Sequence, residues 1–185
     1  MIKKYCDFCE QEQSVIEKQI TESFNVKGEQ ITATITIQVC SECGNEVWNE
    51  ELEKANEVIV FSAYRKKMGL LQPSEIKAIR EKYNLSQASF SKLLGFGEKT
   101  ITRYENGSIQ DVAHDNLIRT MESTSAFKKI WSLRKELLSA NDNKKINEVL
   151  ENNSGVYIMQ PRTNTKEYNI STGSYARKRG GIKYA

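Results

Sequence analysis

The chain has 185 residues, 28% of them charged, with a net charge of +3 and a mean hydropathy of -0.59. Only 38% of residues are hydrophobic, which suits one or two small cores rather than one large one. No window approaches the roughly 18 consecutive apolar residues of a spanning helix, and Met1–Tyr5 runs into a cysteine motif without a signal-peptide core. The expectation is a cytoplasmic protein with four reduced cysteines.

The cysteines form two pairs, Cys6-Asp7-Phe8-Cys9 and Cys40-Ser41-Glu42-Cys43. Between them, Ile31, Ala33, Ile35, Ile37 and Val39 alternate with polar residues, the period-2 pattern of a half-buried strand. Ile16, Ile20, Phe24 and Val26 repeat it more raggedly upstream, and Lys27-Gly28 suits a hairpin turn. A two-stranded antiparallel ribbon would then return the second pair to the first. Four thiolates on two tight turns suit a closed tetrahedral zinc site, with zinc about 2.3 Å from each sulfur. The same ligands suit an iron–sulfur cluster, and a thioredoxin-like pair needs a βαβ unit that the pattern lacks. A closed site leaves no position for substrate, so the expected cofactor is structural Zn2+. Trp48 is expected to pack on the second knuckle.

A helix is expected from about Glu50 to Lys67, with Leu52, Ala55, Ile59 and Ala63 on its apolar face. Asn49 caps it, Glu50, Glu51 and Glu53 occupy its first turn, and Arg65-Lys66-Lys67 occupy its last. Gly69 ends it.

Pro73 to Ser123 reads as four or five short helices. Pro73 suits a first helical position, and Ile76, Ile79, Arg80 and Tyr83 share a face. Ser86 caps the next helix, which buries Phe90, Leu93 and Leu94. Gly95-Phe96-Gly97 reorients the chain, and Glu98–Glu105 is expected as a helix with Ile101 and Tyr104 inward. Lys99, Thr100, Thr102 and Arg103 remain for its outer face, the arrangement that enters a major groove. Arg103 has the fork geometry for guanine O6 and N7. Gln87 stands at a helix start, positioned for a phosphate. Asp111 caps a further helix, expected to bury Val112, Leu117, Ile118 and Met121.

An amphipathic helix is expected near Ser125–Ser139, with Phe127, Ile130, Trp131, Leu137 and Leu138 as its stripe, and a short one around Lys144–Leu150. Val156–Met159 suits a strand. Residues 162–185 hold six basic and one acidic side chains, with Tyr168, Tyr175 and Tyr184 interleaved. A basic segment of this kind suits phosphate or an acidic protein surface. His114 is the only histidine, and no Gly-rich phosphate loop is present, so no nucleophile–base set can be assembled and no catalysis is expected.

The stretch L-S-Q-A-S-F-S-K-L-L-G…T-I-T-R-Y-E-N-G resembles the Xre/Cro-type helix-turn-helix. With C-x-x-C…C-x-x-C ahead of it, the chain looks like the MqsA family of antitoxins with its YgiT-type zinc finger. The resemblance covers about residues 1–123. It implies an α+β fold: a zinc-ribbon-like β-hairpin domain over 1–69 and an all-α helix-turn-helix domain over 70–123. A helical extension and basic tail follow over 124–185, where no resemblance reaches. It also implies a homodimer on palindromic double-stranded DNA, a protein toxin as partner and repression of the chain's own operon. Dimerisation is expected through the helix-turn-helix domain, aided by Phe127, Ile130 and Trp131. Arg103 falls on the family's base-reading arginine, and Lys99 stands where the best-known members place an asparagine, so the operator should differ. The alternative is a zinc-finger regulator of a mobile element or phage, without a toxin.

Overall fold

A computed structural model describes residues 2–152. Its element order is three strands and then seven helices, an α+β architecture. The strands are β1 (Lys3–Cys6), β2 (Gln11–Val26) and β3 (Glu29–Cys40), antiparallel in the order β1-β2-β3. β2 and β3 form the expected hairpin, with Phe24 opposite Ile31 and Ile20 opposite Ile35. At the turn Lys27 and Gly28 have φ of 50° and 88°, the doubly positive pair whose twist matches that of the flanking strands. β1 is an addition to the expected ribbon. Lys-Lys-Tyr-Cys shows no alternation, and only pairing with Gln11–Ser14 makes it a strand.

Helix α1 (Glu50–Met68) lies on the sheet. Asn49 accepts from Glu51 N and Leu52 N, and Gly69 closes the helix at φ 67°. Its buried face differs from the expected one. Asn56, Val60, Tyr64 and Arg65 are buried, whereas Ile59 is exposed. The apolar repeat misleads because two of the buried positions are polar and hydrogen-bonded. Asn56 accepts from Thr36 N (3.1 Å) and donates to Thr36 O (2.8 Å), so it covers part of the open edge of β3.

The helical part comprises α2 (Pro73–Glu81), α3 (Gln87–Leu94), α4 (Thr100–Glu105), α5 (Val112–Thr120), α6 (Thr124–Arg134) and α7 (Ala140–Asn152). A single 3-10 turn, Lys135–Leu137, separates the last two. The expected helix over Ser125–Ser139 therefore breaks early. Ser86 caps α3 by accepting from Ser89 N, and Asp111 caps α5 by accepting from His114 N. Gly95 ends α3 at φ 78° with the Arg134 guanidinium directly against it, a site that tolerates no β-carbon without displacement. Val112 is exposed rather than buried, because Asp115 and Ile118 form the inner side of α5.

One apolar cluster runs from Leu71 to Leu150. Ile76, Tyr83, Phe90, Leu93, Ile101, Ile118 and Met121 share it with Phe127, Leu138 and Ile146. The residues after Ser123 are thus part of the same core as α2 to α5. Phe127 is 0% exposed inside the chain, which removes it from any dimer surface. Ile130 and Trp131 are half-buried against the same core, and Trp131 Nε1 donates to Asn143 Oδ1 (2.7 Å). No helix among the described residues is long and apolar enough to cross a membrane. The expected strand Val156–Met159 and the basic segment 162–185 lie outside the described residues.

Candidate functional site

Both cysteine pairs sit on turns at one end of the sheet. β1 delivers Cys6, and the turn before β2 carries Cys9 with Glu10 at φ 54°. β3 ends at Cys40, and Gly44 at φ 72° lets the chain fold back. Cys40 N then donates to Asn45 O (2.8 Å), Gly44 N to Cys40 O (2.9 Å) and Ser41 N to Ser14 O (3.0 Å). The first two bonds close the second knuckle, and the third ties it to β2. All four Sγ atoms lie within 4.8 Å of one another, with Cys6–Cys43 at 3.6 Å and Cys9–Cys40 at 3.9 Å. A tetrahedron with about 2.3 Å metal–sulfur bonds has edges of about 3.8 Å. The donor set therefore fits a tetrahedral metal ion, and none of the four is in a disulfide.

The thiols are electrostatically uneven. The Asn45 backbone N–H lowers Cys43 to about 6, while the hydrogen bond with Cys43 pushes Cys9 up to about 12. A cation at the centre would favour the ionised form of all four. Val47 is buried beside Cys6 and Cys40. Trp48, expected on this knuckle, is instead 68% exposed. It immediately precedes the cap residue Asn49, where the chain turns away from the cysteines.

The second feature is the face of α4. Lys99 and Arg103 are exposed, and the Arg103 side chain makes no hydrogen bond or ion pair among the described residues. Thr102 is half-buried. Thr100 departs from expectation: it is 5% exposed, because the helix begins at Thr100 and its first turn rests on α3. Ile101 is fully buried, with its N–H donating to Ser91 Oγ (3.3 Å).

Gln87 is brought to this face but is held by protein. Its Oε1 accepts from Thr102 Oγ1 (2.9 Å) and its Nε2 donates to Glu105 Oε2 (2.8 Å). Glu105 also takes two bonds from Arg80, Nε to Oε1 at 2.6 Å and Nη2 to Oε2 at 2.9 Å. Arg80 Nη1 donates to Leu85 O (2.7 Å), and the glutamate raises the arginine's pKa further. This two-pronged pair, about 10% and 5% exposed, ties α2 to α4. Helical spacing puts Arg80 on an apolar face but does not reveal its partner, which is 25 residues away. An arginine at an otherwise buried helical position is the available signal. His114 is half-buried, with Nδ1 2.7 Å from Tyr104 Oη and 3.2 Å from Asp111 Oδ2, and its ring lies against Phe96. It is not one of the residues gathered at the cysteine cluster.

No curated protein matches the chain. A family model does: that of MqsA, the antitoxin component of a bacterial toxin-antitoxin system, matches residues 4–126. The matched span covers the cysteine cluster, the sheet and helices α1 to α5, more than half of the sequence. The chain therefore belongs to the MqsA family of antitoxins.

Proposed function

We propose that this antitoxin is a non-catalytic, sequence-specific DNA-binding repressor that binds a protein toxin and regulates its own operon in the cytoplasm. Its expected organisation is a metal-bearing domain over 1–69, a DNA-reading domain over 70–123 and an extension over 124–185. The observation that carries the DNA reading is the face of α4. Arg103 and Lys99 project from a helix whose inner side is fixed by Ile101 and by the Arg80–Glu105–Gln87–Thr102 network. A guanidinium with no bonding partner among the described residues, on a helix held from behind, is suited to bidentate contact with guanine. Lys99 and Thr102 flank it as base or phosphate contacts, and the N-terminal end of α3 at Gln87 approaches the backbone. Thr100, being buried, contributes support to the helix.

Cys6, Cys9, Cys40 and Cys43 would hold Zn2+ as a structural ion. It would supply folding free energy to a sheet with little apolar core of its own. A homodimer would place two α4 helices on a palindromic operator.

The test is selection of duplex DNA from a random pool with the full metal-loaded chain, followed by footprinting. Enrichment of a two-fold symmetric site upstream of the chain's own gene supports the proposal. A pool that stays random defeats it. Co-purification with the product of an adjacent reading frame tests the toxin; a chain that binds its operator but no neighbouring product would be a regulator without a toxin.

A further inference from the structure

The loop behind the recognition helix is held from the metal-bearing part of the chain. Arg65, in the last turn of α1, is 1% exposed. Its Nη2 donates to Gly107 O and its Nε to Gln110 Oε1 (3.3 Å). Gln110 Nε2 donates in turn to Leu71 O (2.6 Å) and Asp115 Oδ1 (3.0 Å). Asp115 accepts from Leu71 N (2.8 Å) and from Arg119 Nε (2.7 Å), and Arg119 Nη2 donates to Gly69 O (2.6 Å). The circuit takes in the segment between α1 and α2 at Gly69 and Leu71, and joins α1 to α5.

We propose that Arg65 is a positioning residue for DNA recognition, through which the metal-bearing sheet and α1 set the orientation of α4. The proposal deepens the DNA-binding reading and rests on it. Three observations carry it. First, Gly107 follows Asn106, the cap residue of α4, and the next N–H, that of Ser108, donates to Arg103 O (2.9 Å). The arginine of α1 is thus one peptide from the backbone of the proposed base-reading residue. Second, Ile109 packs into the core of the sheet, and Lys27 Nζ at the hairpin turn reaches Ile109 O (3.5 Å). Third, the direct acceptors of Arg65 are neutral oxygens. A buried guanidinium without a carboxylate at its side adds little stability that an apolar residue would not, and burial pushes its pKa down. What it adds is direction: a fork that fits one arrangement of loop and helix. Asn56 completes the route, since it ties α1 to Thr36, four residues from Cys40 on the same strand.

The test is a coupling cycle. The parent chain, Arg65→Met and Gln110→Met are each compared with and without metal, the metal removed by a chelator. Operator affinity is measured on the selected duplex. The parent is expected to weaken about tenfold on metal removal, within the usual range of site-to-site coupling. Both variants are expected to bind more weakly when loaded and to weaken by less than about threefold more on stripping, because the link is already cut. Gln110→Met cuts the circuit from the other side should Arg65→Met fail to fold, and Arg65→Lys, which keeps a donor, should restore part of the coupling. A merely stabilising Arg65 would leave the variants with the parent's full metal dependence, and that result overturns the proposal. Amide relaxation supplies a readout free of DNA. In the loaded parent, amides of α4 and of β2–β3 should share one tumbling time, and in the variants they should separate. Separate tumbling in the parent also overturns the proposal. A parent that binds no duplex but shows shared tumbling, abolished in both variants, would defeat the DNA reading and leave the positioning of α4 by Arg65 standing.

Discussion

The ring of Phe127 lies flat on that of Tyr83, with centroids 3.4 Å apart and planes 3° from parallel. Both side chains are 0% exposed, and Tyr83 Oη donates to Met121 O (2.6 Å). Tyr83 belongs to the segment after α2, and Phe127 to α6, one residue past the end of the family match. Helix α6 is therefore joined to the helices before it through the centre of their core. Ser89 Oγ adds a bond to Asp142 Oδ2 (2.9 Å), and Arg134 Nη1 one to Leu93 O (3.4 Å).

Phe127→Ala should destabilise the chain by about 3–5 kcal/mol, the usual cost of emptying a fully buried aromatic site. Denaturant unfolding measures it. A chain ending at Ser123 should lose as much or more, since Leu138, Ile146 and Leu150 leave the same core. A loss below about 1 kcal/mol in either case would mean that the core closes without the extension.

The Arg80–Glu105 pair invites a sharper comparison. Arg80→Ala leaves the Glu105 carboxylate buried against Gln87 and should cost about 3–5 kcal/mol. Replacing both partners by Met and Leu should cost much less, because no charge is stranded. Equal losses in the single and double variants would show that the pair acts through packing alone.

The described part of the fold is legible where a single period governs an element. The alternation of Ile31 to Val39 locates β3, and Ser86, Gly95 and Asp111 mark helix ends that depend on local chemistry alone. The cysteine cluster is legible because both turns need only a hairpin between them. What is not legible depends on contacts between distant residues. The face of α1 follows from Asn56 and Arg65, polar residues whose partners Thr36 and Gln110 lie 20 and 45 positions away. Thr100 stands next to buried Ile101 and one turn before Tyr104, so it borders the inner face of α4, and a threonine there gives no local signal of burial. The burial of Phe127 needs the Tyr83 ring, which no local pattern reveals.

Metal content and its pH dependence test the cysteine site. Elemental analysis of the full chain should give one zinc per chain, and Cys40→Ser should abolish its binding. Without metal, Cys43 titrates near 6 and Cys9 near 12, so at pH 7 the first is largely ionised and the second protonated. Metal binding must displace the proton from Cys9, and lowering the pH through 6 also protonates Cys43. Affinity should therefore fall as pH falls and rise as pH rises. A chromogenic chelator reads the release. Retention that does not change between about pH 8 and pH 5 would contradict a four-thiolate site.

Arg103→Ala should weaken operator binding by about 1–3 kcal/mol and relax preference at one base pair in each half-site. The fold should not change, since the side chain is exposed and bonds nothing among the described residues. Lys92→Ala, exposed on α3, should cost less and leave sequence preference intact. Thr100→Ala should act on stability before specificity, because its side chain is buried. Arg103→Ala with unchanged affinity and selectivity would remove α4 from the interface.

The charge balance bears on the last segment of the chain. Residues 162–185 hold six basic and one acidic side chains and 153–161 hold neither, which leaves 21 basic and 23 acidic in residues 1–152. The chain's positive excess is thus carried after Gly155. If the chain binds DNA, its net negative first 152 residues gain it little from nonspecific attraction to phosphate. If the final segment meets the duplex backbone, truncation at Gly155 should flatten the dependence of log affinity on log salt by about one unit for each phosphate that the segment neutralises. Preference among sequences should survive, because phosphate contacts carry none. If the segment serves the toxin instead, the salt slope should stay as it was and toxin capture should fall. Arg177, Lys178 and Arg179 replaced together by Gln would separate charge from the tyrosines, since an effect confined to the truncation would point to Tyr168, Tyr175 and Tyr184 as the binding groups. An unchanged salt slope together with unchanged toxin capture would leave the segment without a part in either interaction.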